Sequence, residues 1–170
     1  MCRIYGIPET AYKYNAQKNF IQFSNGSYVN FIEVSYKPSD PMYEDVGSTE
    51  YTIGWFEEVG EIHYKAVNTL QTRVGRHMNS EYNLHPTTFM TCNPKNNWAK
   101  QEFYNKHKTG ELYELNKDPE RNYIRKFMTC LVVENPFIEQ QNINNLKKQA
   151  STDKGQYERC LLYTSDAADE

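Results

Sequence analysis

The stretch TIGWFEEVGEI (Thr52–Ile62) decides how this chain is read. An apolar run stops abruptly at two adjacent carboxylates, Glu57 and Glu58. With Tyr51 in front, the run YTIGWF is short, bounded and without polar alternation, the pattern of a buried parallel strand. Behind it, Ile62, Ala66, Val67, Leu70 and Val74 recur at helical spacing, which predicts an amphipathic helix. That helix is expected to end near Gly75 with Arg73, Arg76 and His77 in its last turn, where the helix dipole favours cations.

Working outward, NFIQFSNGSYVNFIEV predicts two strands around SNGS, because Asn-Gly tolerates positive φ at both turn positions. The segment SYKPSDPMYEDVGSTE is a loop rich in Pro, Ser, Asp and Gly. TTFMTC (Thr87–Cys92) predicts a second buried strand, broken by NPKNNW, and WAKQEFYNKHK a second helix. YIRKFMTCLVV predicts a third buried strand, and ENPFIEQQNINNLKKQA a turn into a further helix. Strands alternating with helices imply an α/β domain with a mainly parallel sheet.

The chain has 170 residues, enough for one domain with a real core. No stretch approaches the roughly 20 apolar residues of a membrane span, and MCRIYGIPET lacks the apolar centre of a signal peptide. Cys2, Cys92, Cys130 and Cys160 are scattered without a CxxC, as reduced intracellular thiols would be. His63, His77, His85 and His107 have no metal-ligand spacing. The formal net charge of −3 carries no basic signature of nucleic-acid binding.

The ending CLLYTSDAADE (160–170) follows a helical segment without a turn signal. Written back into codons, it can spell a transposon-end adapter of sequencing libraries, read through in frame. On that reading it stands outside the fold, the evolved chain is 1–159, and the protein is expected to continue further. Without the three acids of that ending the chain carries 19 acidic and 19 basic residues.

In open parallel sheets, ligands bind outside the carboxyl ends of the strands. One strand here ends in Glu57-Glu58, the next in Thr91-Cys92-Asn93-Pro94. A nucleotide hydrolase needs one carboxylate for Mg²⁺, which keeps several waters and takes one or two protein carboxylates. It needs a second to orient or deprotonate the attacking water. Adjacent residues on an extended strand point to opposite sides, so Glu57 and Glu58 reach two places. The Thr91 hydroxyl and Asn93 amide suit the sensing of a phosphate. A solvated strand end and a plain Asn-Pro turn would also account for each element taken singly.

STEYTIGWFEEVGEI, then LQTRVGR, then FMTCNPKNNW, resemble the ATPase domain of the large subunit of tailed-phage terminases. NGSYVNF before and ENPFIE after are similar to flanking segments of that family, and the resemblance runs in order over about 12–159. It implies a partial RecA-like P-loop (additional-strand) ATPase domain. IGWFEE would be its Walker B strand, with Glu57 at the metal position and Glu58 as catalytic carboxylate. TCNP would be its coupling motif, with Thr91 and Asn93 sensing the γ-phosphate. The implied cofactors are ATP and Mg²⁺. The implied partners are double-stranded DNA, the terminase small subunit, the portal protein and further copies in a ring. The implied location is the host-cell cytoplasm, transiently docked on a procapsid.

The chain departs from the family's pattern in four ways. The Walker B metal position is commonly Asp, and here it is Glu57. No G-x-x-x-x-G-K-[ST] occurs, and only 56 residues precede Glu57. No Arg lies just before Walker B, which leaves Arg73 and Arg76 as possible phosphate contacts, or as solvated helix-end charges. The family's nuclease domain is also absent. The chain alone is therefore expected to hydrolyse ATP poorly. Two other readings share the strand-end logic: another P-loop DNA motor such as a helicase, and a non-catalytic α/β binding protein. Trp55 and Phe56 are expected in the sheet core, and Trp98 packed beneath the NPKNN loop.

Overall fold

A computed structural model describes residues 5–93, 95–120 and 123–150. The first unit is an antiparallel meander of β1 (Tyr12–Asn15), β2 (Phe20–Phe23) and β3 (Tyr28–Asn30). The predicted hairpin is β2–β3, with Ile21 opposite Val29. Its turn needs one positive φ rather than two. Phe23 C=O accepts from Gly26 N–H at 3.0 Å, Ser27 C=O accepts from Phe23 N–H at 2.7 Å, and Gly26 has φ 89°. That is a three-residue loop closed by a glycine in the left-handed region. Strand β1 was not expected; it pairs with β2 along its length, with the Tyr12 and Phe23 rings 6.4 Å apart.

The second unit holds the site. β4 (Ile53–Phe56) and β5 (Thr87–Met90) pair in parallel, with Trp55 opposite Phe89. Between them runs α1 (Tyr64–Gln71), whose Ala66, Val67 and Leu70 are buried. The core is Phe56, Val59, Val67, Leu70 and Ala99, with Tyr51, Ile62, Met90, Trp98 and Phe103 packed around it. The start of α1 is fixed by His63, whose Nδ1 accepts the Lys65 N–H at 3.2 Å.

The helix stops earlier than its apolar spacing predicts. The Thr72 hydroxyl donates to Thr69 C=O at 2.7 Å, and the chain then runs alongside Tyr51. Tyr51 N–H donates to Arg73 C=O at 3.0 Å, and Gly75 N–H donates to Tyr51 C=O at 2.7 Å. Val74 thus serves a strand-like bridge to Tyr51, and Arg73, Arg76 and His77 follow the helix rather than closing it. Gly75 is required at this corner: its φ is 87° and a Cβ there would stand 2.5 Å from Pro86 Cγ.

Further expectations are corrected. β4 and β5 are not buried strands: Phe56 faces the core, but Ile53, Trp55 and Phe89 are exposed on the other face. Trp55 is 69% exposed, so it is not a core residue. An apolar run shows that a strand is apolar, not that both faces are covered.

The expected third strand is also absent; no strand forms over 123–131. Local partners hold that segment instead. Asn116 donates to Arg125 C=O at 2.6 Å and accepts from Arg125 N–H at 2.9 Å. The Arg125 guanidinium lies 3.5 Å from Glu102 and over the Phe103 and Tyr123 rings.

The sheet is consequently not mainly parallel. Among the described residues the fold is mixed α/β, with one two-stranded parallel sheet and one three-stranded antiparallel sheet.

The predicted second helix forms from Trp98. It is wound as a π-helix over Lys100–Asn105 and continues into α2 (Lys106–Lys108). After it come α3 (Glu111–Leu115), buried through Leu112, and α4 (Gln140–Ala150), the last predicted helix. The ending 160–170 lies outside the described residues.

Candidate functional site

The turns that leave β4 and β5 meet at the carboxyl ends of the two strands. Thr91 extends the ladder past β5: its N–H donates to Phe56 C=O at 2.9 Å, and its C=O accepts from Val59 N–H at 2.8 Å. Between those bonds the chain must turn sharply out of the sheet, and it does so at Glu58. This residue has φ 49° and ψ 48°, a left-handed conformation that disfavours non-glycine residues. The Thr91 hydroxyl oxygen lies 3.4 Å from the Glu58 N–H that donates to it, and Asn93 Nδ2 donates to Glu58 Oε1 at 2.9 Å. The structure therefore brings Glu58, Thr91 and Asn93 into one cluster across two strands.

Glu57 stands apart from that cluster. It continues the exposed face of β4, and its Oε2 accepts the Trp55 Nε1–H at 3.0 Å. The two carboxylates do reach different places, as strand alternation suggested. The separation also owes something to the left-handed turn at Glu58. Trp55 is thus a partner of Glu57 rather than core.

Glu57 is exposed, and only its Oε2 is engaged by the indole. That suits a magnesium ion, which takes few protein carboxylates and keeps much of its water. Glu57 is the residue that would hold such an ion. Among the described residues no group of three or more His, Cys, Asp or Glu side chains could hold a metal ion by itself.

Arg73 and Arg76 are not brought to the carboxylates. Their backbones meet Tyr51, at the opposite end of β4, about 20 Å from Glu57 at the rise of a strand. The Arg73 guanidinium lies against Gly47, with its Nε enclosed and unpartnered.

Among the described residues, Lys95 is a cation that does reach the strand ends, and the sequence reading did not single it out. Its ammonium pairs with Glu61. The Glu61 hydrogen bond and charge, joined by the Glu58 charge, hold Lys95 above the usual lysine range. Cys92, between Thr91 and Asn93, has its thiol pushed up by burial and by the negative charge of Glu58.

The signal for Lys95 lay in TCNPKNNW itself, whose residues stitch the two turns together. Trp98 Nε1 donates to Ile62 C=O at 2.9 Å, and its ring packs on Tyr64 at 4.6 Å. Trp98 is therefore a packing residue, as expected. Asn97 caps the helix that follows, its Oδ1 accepting the Lys100 N–H at 3.2 Å. It also leaves room for nothing larger than a hydrogen at Gly60, where a Cβ would stand 2.2 Å from Asn97 Nδ2.

No curated protein and no solved structure matches the chain. A family model described as phage terminase large subunit matches residues 1–162. With most of its length inside that match, the chain belongs to the phage terminase large-subunit family.

Proposed function

We propose that this chain is part of the ATP-hydrolysing motor domain of a terminase, a RecA-like P-loop unit that drives double-stranded DNA into a procapsid. The observation that carries the reading is the Glu58–Asn93 hydrogen bond of 2.9 Å, which joins the ends of two parallel strands. Glu58 aligns the attacking water and accepts its proton. Asn93 holds the Glu58 carboxylate and, with Thr91, is displaced or re-paired when the γ-phosphate changes. Glu57 would hold a magnesium ion, which would supply charge neutralisation for the bound phosphates. Thr91 and Asn93 sit on a turn that leads directly into the helix beginning at Trp98, so a change at Glu58 has a short route to a rigid element.

The phosphate cradle of a P-loop is not in this sequence, so the chain alone is expected to hydrolyse ATP slowly or not at all. In the working motor the reading places copies in a ring around DNA, with the small subunit and the portal protein. It places them in the host-cell cytoplasm, docked on the procapsid during packaging. A nuclease domain would cut the packaged DNA to length. DNA contact would be sequence-independent and salt-sensitive.

The test is Glu58→Gln in a full-length terminase that carries this domain. Loss of ATPase activity by two orders of magnitude or more, with folding retained, is expected for a residue that positions the water (about 10²–10⁴-fold for general-base catalysis). Unchanged ATPase and packaging would refute the assignment.

A further inference from the structure

We propose that Lys95 is a polyphosphate-binding residue of this site and that Glu61 is the counter-ion it exchanges for phosphate. The inference rests on the nucleotide reading above and adds a residue to it. Three observations converge. First, the segment 95–98 is pinned to the turn after β4: Trp98 donates to Ile62 C=O, and Asn97 closes over Gly60. Lys95 is thereby carried to the strand ends. Second, its ammonium is paired with Glu61 and lies within the field of Glu58. Third, the pair is open to solvent, with the two side chains 58% and 60% exposed. A pair so exposed is weakly held, and an ammonium is a compact charge on a flexible stem. A polyphosphate carries more negative charge than one carboxylate. The Lys95 ammonium can therefore move from Glu61 to terminal phosphate oxygens without breaking anything that holds the fold. Glu61 then returns to solvent. The cationic role considered for Arg73 and Arg76 passes to Lys95, a basic residue that the fold carries to the strand ends.

The experiment uses the 170-residue chain and two probes, inorganic tripolyphosphate alone and Mn²⁺ alone, each by calorimetric titration. Lys95→Met is expected to weaken tripolyphosphate about fivefold, the scale of an exposed ion pair. The same change is expected to tighten Mn²⁺, because a competing cation has left the carboxylates. Lys95→Arg should keep both affinities near wild type. Glu61→Gln should tighten tripolyphosphate by removing the competitor. A purely structural lysine would weaken both probes or neither, so opposite signs are the distinguishing result. Equal tripolyphosphate affinity in wild type and Lys95→Met, or no binding by the wild-type chain at millimolar probe, overturns the proposal. Neither outcome touches the role of Glu58, which stands or falls with the ATPase test in the full-length protein.

Discussion

Gly60→Ala probes whether the turns after β4 and β5 are interlocked. A Cβ at Gly60 would stand 2.2 Å from Asn97 Nδ2 and 3.2 Å from Asn97 Cγ. The methyl therefore forces Asn97 to rotate, and its Oδ1 leaves the Lys100 N–H that it caps at 3.2 Å. Loss of such a cap costs about 1 kcal/mol. Against this, Gly60 lies in the 3-10 turn Val59–Glu61 without a positive φ. Alanine there restricts the unfolded chain and stabilises by about 0.4–1 kcal/mol. In the wild-type background the two effects nearly cancel, leaving a small net loss. In an Asn97→Ala background the cap is already gone and the methyl has room, so only the favourable effect remains. The same substitution thus changes from neutral or mildly harmful to stabilising, with a coupling energy of about 1 kcal/mol. Urea denaturation of the four chains of the cycle, followed by circular dichroism, measures it. Additivity within about 0.3 kcal/mol would show that Gly60 and Asn97 are not packed against each other.

Two other expectations follow from the site and its support. Phe56→Ala should destabilise by about 3–5 kcal/mol, whereas Trp55→Ala, on the exposed face of the same strand, should cost less than about 1 kcal/mol; equal losses in thermal denaturation would mean that both faces of β4 are covered. Glu58→Gln should speed alkylation of Cys92 by iodoacetamide near pH 8, because removing the neighbouring negative charge lets the thiol ionise at lower pH. Peptide mapping isolates Cys92 from the other thiols, and an unchanged rate would separate it from Glu58.

Much of this arrangement is legible in the sequence. The helical spacing of Ala66, Val67 and Leu70 named the buried face of α1 correctly, because periodicity records which side a helix buries. The rule that sites gather at strand ends placed Glu58 beside Thr91 and Asn93. The misses have separate causes. Strand β1, Tyr12–Asn15, is half polar and pairs only because β2 supplies an edge. The helix end was overrun because Val74 is apolar for the sake of its bridge to Tyr51, not of a helical face. The segment 123–131 has strand-like composition, but Asn116 and Glu102 capture Arg125, and tertiary partners override propensity. Lys95 and Glu61 are 34 residues apart, a contact that no local pattern encodes.

The left-handed backbone at Glu58 sets a tension between folding and function. Glycine would occupy that corner freely, while a side chain there costs roughly 1–2 kcal/mol. Any redesign guided by stability alone would therefore replace Glu58 early, and the improved fold would have lost the carboxylate that joins its two strand ends. Thermostable variants of this domain are best sought elsewhere, with that one strained residue fixed at the outset.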